Sequence, residues 1–257
     1  GNVSNAAGNE TGVVVNGVLA MVYGNEFVAN HVPLEEGENT ITATATDAAG
    51  NILSAEITVT ADTTGDYIWI TVDEESGVTP FEATLKVEGT FTFTEEATLT
   101  YDGPDAVEFL DNPNENEYTV QIETPGLYYF TAEVDHEGNN YTDSIAILVM
   151  DQGELDALLK AKWEAMKAAL IAGDIEGALS YHYQGLRDKY EAIYNLLGDE
   201  LATKVQQMQG IELIYSTGYG AKYRIRREHD IEGQTVTITY YIYFSKDEKG
   251  LWQIEKY

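Results

Sequence analysis

Apolar and polar residues alternate along most of the first 150 positions, and this period of two is the signature of half-buried antiparallel strands. Between residues 12 and 60 the strands are short and punctuated by turns. Val13-Val14-Val15, Asn16-Gly17 and Val18 to Val22 read as a hairpin, because Asn-Gly suits the positive φ angles of a type I′ turn. Gly24-Asn25 marks a second turn into Glu26–Asn30, and Glu36-Gly37 ends a third segment. Ile41–Thr46 and Ile57–Thr60 alternate apolar residues with Thr around Asp47-Ala48-Ala49-Gly50-Asn51. Further strands are predicted at Tyr67–Val72, Ala83–Thr92, Ala97–Tyr101, Tyr118–Glu123, Leu127–Val134 and Asp143–Met150, a spacing that suggests a sandwich. Asp47 to Asn51 and Asp135 to Asn139 share the spacing D-x-x-G-N, which predicts two tight turns of one kind in two related modules.

After Asp151 the period changes. Leu155, Leu159, Trp163, Met166 and Leu170 line one face of a helix that Gly173 ends, and Asp174 caps a short helix over Ile175–Tyr181. A third helical segment runs from Leu186 to Gln209 with a break at Gly198-Asp199. Strands return at Ile211–Ser216, Ala221–Glu228, Gln234–Ser245 and Leu251–Lys256, and helices followed by a four-stranded meander predict an α+β layer.

Charge sharpens this division. The chain has 257 residues and a net charge of -30. Residues 1–62 hold 8 acids and no Lys or Arg, 63–150 hold 19 acids and one base, Lys86, and 151–257 hold 17 acids and 13 bases. We therefore expect three domains, 1–62, 63–150 and 151–257: two immunoglobulin-like β-sandwiches and one α+β domain. Such acidity argues against nucleic acid and anionic membranes as partners, and favours cationic ones, Ca²⁺ among them. There is no cysteine, so disulfide, Cys–zinc and thiol chemistry are excluded. No apolar run is long enough to span a membrane. The chain begins at Gly1 rather than Met, and any targeting segment is expected upstream.

Three resemblances add to this reading. Val15-Asn-Gly-Val18, Gly24-Asn25, Val32-Pro-Leu34 and the run Glu36 to Gly50 resemble the glucodextranase-like, Big-type Ig repeats of bacterial surface proteins. Such repeats open with one or two strands before the V-N-G hairpin, so the first sandwich is expected to be short at its N-terminal side. Gly77–Phe81 with Ala83–Val87, and Gly126–Tyr128 through Asn139, resemble a PKD-type Ig-like domain. Trp163, Ala168–Asp174, Ala178–Tyr181 and the closing Leu251-Trp252-Gln-Ile254 resemble the cystatin-like, or NTF2-like, superfamily. Together they imply an exported, multidomain bacterial protein displayed outside the cell.

Candidate chemistry is sparse. The D-x-x-G-N segments read as plain turns or as Ca²⁺ sites with Asp47, Asn51, Asp135 and Asn139 as ligands, and the lack of EF-hand spacing favours turns. Relatives by fold of the third module often enclose a pocket; here Trp163, Tyr181, Tyr190, Tyr194 and Tyr240 are the candidate lining, with core packing as the simpler reading. His182 has Asp188 as its nearest acid in sequence, too little for an acid–base pair, so no catalytic residue is assigned and no enzyme is expected. Lys222, Arg224 and Arg226 fall on one face of a strand as the only basic stripe, either a solvated face or a dock for an acidic neighbour. The expected function is a non-catalytic structural or adhesive array that assembles with other proteins or subunits through an open edge of the first sandwich. The alternative is a small-molecule binder using the third module.

Overall fold

The computed structural model describes residues 1–5, 9–112, 114–231 and 233–257. It is mostly β, with a smaller helical part, and divides into two compact units, Gly1–Asp151 with Glu248–Leu251, and Gln152–Asp247 with Trp252–Tyr257.

The first unit opens with β1 (Thr11–Val15) and β2 (Val18–Leu19), joined by Asn16 and Gly17 at φ 46° and 87°, the turn their sequence requires. Then come β3 (Met21–Tyr23), β4 (Glu26–Val28), β5 (Gly37–Asp47) and β6 (Ile52–Ala61). One sheet has the order β2-β1-β5-β6, and β3 and β4 form a separate two-stranded sheet. The single strand expected over Val18–Val22 is thus two: at buried Ala20 the chain leaves one sheet for the other, its N–H donating to the Val13 carbonyl.

The remainder of this unit is a full sandwich. It contains β7 (Ile68–Val72), β8 (Ser76–Val78), β9 (Phe81–Gly89), β10 (Thr98–Asp102), β11 (Glu108–Leu110), β12 (Glu117–Ile122), β13 (Gly126–His136) and β14 (Asn139–Met150). Sheets β10-β13-β14-β8 and β11-β12-β9-β7 enclose Ile70, Leu85, Val120, Phe130, Ile145 and Ile147. The strands β8 and β11 carry no alternation long enough to read from sequence, and their three residues each owe their state to their neighbours.

The hairpin β3–β4 is a wall shared by both halves. Val22 and Phe27 face Val13 and Val15 of the first half, whereas Met21 and Val28 pack on Leu127, Ala146 and Leu148. This explains the unbroken apolar run Ile145–Met150: Ile145, Ile147 and Val149 face the sandwich core, and Ala146, Leu148 and Met150 face the wall. Asn30, just past β4, is buried and clamps the joint, with its Nδ2 donating to the Ala146 carbonyl at 2.8 Å and its Oδ1 accepting from the Ala146 N–H at 3.0 Å.

The second unit carries α1 (Gln152–Ile171), α2 (Ile175–Leu179), α3 (Arg187–Leu197) and α4 (Leu201–Gln206). Asp174 caps α2 as predicted, its side chain accepting from the Gly177 N–H, and the chain breaks between α3 and α4 at Gly198, φ 48°. The sheet follows as β15 (Glu212–Ser216), β16 (Gly220–Ile231), β17 (Gln234–Lys246) and β18 (Trp252–Lys256), in the order β15-β16-β17-β18. Tyr223 faces the helices and donates to Asp156 of α1 at 3.0 Å.

Replacing Asn30 by Ala leaves the buried Ala146 N–H and carbonyl without partners. We expect a loss of about 2 kcal/mol, the cost typical of such orphaned groups, read as a lower urea midpoint and as faster exchange of the Ala146 amide.

Candidate functional site

In the first half, a four-stranded sheet faces a wall only two strands wide. The odd-numbered residues of β5 and β6 point toward that wall and are apolar: Ile41, Ala43 and Ala45 pair with Ile57, Ala55 and Leu53. The even positions are polar, with Thr42 Oγ1 donating to Glu56 and Thr44 meeting Ser54 at 2.9 Å. Val13 and Val15 are buried under Val3 and Phe27, but Leu53 is 77% exposed and Ile57 62% exposed. An open groove of about 610 Å³ results, with Val13, Val15, Phe27, Ile41, Ala43 and Leu53 in its lining. Leu53 and Ile57 alternate with polar residues as core positions do, yet most of their surface is in water.

The outer edge of β6 has no strand partner among the described residues. Thr42 directs its backbone toward Asn16, which donates to the Thr42 carbonyl at 3.1 Å, so even positions of β5 bond β1 and odd positions bond β6. By antiparallel geometry the odd positions of β6 bond back. Ile52, Ser54, Glu56, Thr58 and Thr60 therefore present their N–H and C=O groups outward.

The two D-x-x-G-N segments are different structures, which corrects the expectation of one turn used twice. Asp47 ends β5, and Asn51 is the last residue of the four-residue loop that leads into β6. Asp47 Oδ1 accepts the N–H groups of Ala49 and Asn51 at 2.9 and 2.8 Å, and Oδ2 accepts Asn51 Nδ2 at 2.9 Å. The hydrogen bond from the Asn51 side chain leads those that hold the Asp47 carboxyl below its usual range. Asp135 and Asn139, in contrast, lie in the β13–β14 ladder around a two-residue turn, Glu137 and Gly138 at φ 51° and 84°. One carboxylate already holding three N–H donors is not the cage of six to eight oxygens that Ca²⁺ takes. Among the described residues no group of three or more His, Cys, Asp or Glu is placed to hold a metal.

In the second unit, Trp163, Tyr190 and Tyr194 are buried together, and Tyr257, which sequence reasoning did not single out, joins them. Tyr190 stacks on Tyr257 at 5.0 Å and Trp163 meets Tyr257 edge-on at 5.2 Å, so the rings fill the space between one another. Tyr181 lies apart from this stack in the strand-like segment that pairs with β18, its carbonyl accepting from Ile254. Tyr240 is 45% exposed on β17, its hydroxyl 3.2 Å from His229 Nε2. The pocket residues named from sequence are therefore split between a core and an exposed strand. Tyr194 also borders a cleft of about 250 Å³ with Leu170, Ile175 and Leu201.

His182 is fully buried at the centre of the aromatic group, and its partners do not include Asp188. Its Nδ1 donates to the Ala178 carbonyl at 3.1 Å, which makes Nε2 the acceptor for the Tyr194 hydroxyl at 3.0 Å. Tyr257 then donates to Tyr194, completing a chain Tyr257–Tyr194–His182. Burial pushes the imidazole down to about 4 and the Tyr194 phenol up to about 12. A neutral imidazole held by a carbonyl and one phenol has no carboxylate partner among the described residues to make it a base, so this arrangement is a buried polar network.

Lys222, Arg224 and Arg226 alternate with Tyr223 and Ile225, and Tyr223 is buried against the helices. The basic residues thus occupy the sheet face that the helices leave open. Arg224 Nε bonds Glu212 at 2.9 Å, and Lys222 lies over the ring of Tyr241 at 4.3 Å.

No family model matches this chain, and no curated protein matches it. Similar solved structures include PcdhgB3 EC1-4, at 15% identity and a TM-score of 0.27 over 45% of this chain and 32% of that one. Another is the Bacteroides ovatus mixed-linkage glucan utilization locus protein SGBP-B in complex with mixed-linkage heptasaccharide, at 15% identity and a TM-score of 0.20 over 55% of this chain and 37% of that one. The chain spans about a third of each, and at such scores neither fixes a domain type.

The buried imidazole generates a pH signature. Its folded pKa lies below the unfolded value of 6.5, so the unfolded chain takes up a proton the folded one refuses as pH falls from about 6.5 to about 4. Stability of the second unit is full above that window and falls by about 3 kcal/mol across it, at about 1.4 kcal/mol per pH unit. Tyr190, Tyr194, Tyr257 and Arg187 are the titratable or charged groups around the ring. Urea unfolding at pH 7 and pH 4.5 should show a smaller drop for His182→Gln than for the parent chain, and equal drops would remove the role given to His182.

Proposed function

We propose that this chain is a non-catalytic structural or adhesive module of an exported, surface-displayed protein, and that its first half-sandwich accepts an extended strand from a neighbouring polypeptide along β6. One observation carries the reading: a ten-residue edge strand whose inward Leu53 and Ile57 are largely in water, and whose outward backbone groups have no strand partner among the described residues. An added strand supplies both missing components at once, backbone hydrogen bonds for the even positions and apolar side chains over the odd ones. Covering Leu53 and Ile57 alone contributes about 1.5–3 kcal/mol each. The resemblance of residues 15–50 to Big-type surface repeats supports the extracellular placement, and no helix is long and apolar enough to cross a membrane among the described residues. The partner is recognised by alternation, Val, Ile or Leu at every second position, and by few negative charges, since the chain itself is strongly acidic.

A ten-residue synthetic peptide alternating Val with Thr tests the reading. It should slow hydrogen exchange of the Ile52, Ser54, Glu56 and Thr58 amides. Ser54→Pro should abolish the effect while leaving the fold intact, because the lost N–H points away from β5. Unchanged exchange in the parent chain at millimolar peptide sinks the proposal.

A further inference from the structure

The open face of the second unit's sheet is the cationic exception in an acidic chain. Lys222, Arg224 and Arg226 of β16 stand beside Tyr241 and Tyr243 of β17, which pair with Arg224 and Lys222, and Lys256 of β18 lies opposite Tyr243. Lys222 Nζ is 4.3 Å from the Tyr241 ring centroid and 5.3 Å from that of Tyr243, and Lys256 Nζ is 4.4 Å from the Tyr243 ring. The two tyrosines therefore hold both ammonium groups flat against the sheet. The chain has 44 carboxylates and only 14 Lys and Arg, yet Lys222, Arg226 and Lys256 have no ion-pair partner among the described residues. Where acid is in threefold excess, a face on which Glu212 engages Arg224 and leaves Lys222 and Lys256 without an ion pair among the described residues suits a carboxylate-bearing partner.

The same chain carries a surface of the opposite sign, also on a four-stranded sheet. In the sheet β11-β12-β9-β7 the residues facing away from the core include Glu82 and Glu88 of β9, Glu117 of β12 and Glu108 of β11, set among Thr84, Thr119 and Gln121. Their single cation is Lys86, which Glu88 already engages at 2.9 Å. Glu82 and Glu108 are left without a cation, and Glu117, opposite Lys86, accepts from Asn114 Nδ2 at 2.6 Å, so carboxylates dominate this face of the four-stranded sheet.

We propose that the Lys222–Arg226–Lys256 face of one copy docks on the Glu82–Glu108–Glu117 face of a second copy, giving a salt-sensitive self-association independent of the β6 edge. At about 0.1 M salt the screening length is about 10 Å, so the facing charges of two apposed sheets act on each other while most of the remaining net charge is screened. The contact is heterologous, pairing two different faces, and can therefore extend from copy to copy rather than stop at a symmetric pair. That suits a protein whose role is to build an array.

Sedimentation velocity of the full chain at up to 100 µM decides the matter. In 0.1 M NaCl the weight-average mass should rise with concentration, and in 0.5 M NaCl it should return to the monomer. The triple variants K222E/R226E/K256E and E82K/E108K/E117K should each stay monomeric in 0.1 M NaCl, and mixing them should restore association, because each then offers the charge the other lacks. All six side chains are on the surface, and circular dichroism checks that both variants fold. Ser54→Pro should leave the association unchanged, which separates this inference from strand addition at β6. A parent chain monomeric in 0.1 M NaCl, or a mixture that fails to recover, overturns it. So does a monomeric parent that binds polygalacturonate through Lys222, Arg226 and Lys256, since the face then serves a soluble polyanion.

Discussion

The paired hydrogen bonds between the Asn30 side chain and the Ala146 backbone fix the architecture of the first unit. They lock the β3–β4 hairpin on the outer face of β13 and β14, where Met21 and Val28 close over Leu127, Ala146 and Leu148. A buried amide that satisfies both groups of one residue specifies register as well as adding stability, since a shift by one residue leaves two polar groups unpaired in an apolar joint. His31, the next residue, extends the joint by donating from Nε2 to the Ile70 carbonyl at 3.0 Å.

The width of that hairpin then determines where water reaches. Two strands cover β1 and the near side of β5, and they cannot reach β6. The apolar positions of β6 are uncovered for a geometric reason, although they alternate as faithfully as those of β5. An exposed edge strand is usually guarded by charge or Pro. Here the guard is slight: Glu56 is the one charged residue between Ile52 and Ala61. The edge is thus built like an interior strand and placed at a surface.

The second unit separates its functions by sheet face. The face under the helices is apolar and aromatic, and His182, packed among its rings, is neutralised by burial and held by a carbonyl and a phenol. The opposite face has no helix over it among the described residues of this unit and gathers Lys222, Arg224, Arg226 and Lys256 around two tyrosines. Period-two alternation within β16 puts Tyr223 and Arg224 on opposite sides, so a single strand supplies both a core ring and a cation for the surface.

Local order in this protein was written in its sequence. The alternation of β5, the Asn16-Gly17 turn, the Asp174 cap and the apolar stripe Leu155 to Leu170 each depend on residues within a few positions of one another, and dihedral preference and periodicity suffice for those. The basic stripe on β16 was legible for the same reason. Tertiary structure alone decided what faced each element. Nothing local distinguishes Leu53 from Val13, and only the width of the opposing wall exposes one and buries the other. Nothing local separates Asp47-x-x-Gly-Asn51 from Asp135-x-x-Gly-Asn139, and only strand register makes the first a four-residue loop and the second a two-residue turn. Tyr241, Tyr243 and Lys256 join Lys222 through pairings across three strands, and Tyr257 reaches His182 and Tyr194 from more than 60 positions away. Those relations are set by which surfaces the whole chain can bury together, a quantity that no window of sequence contains.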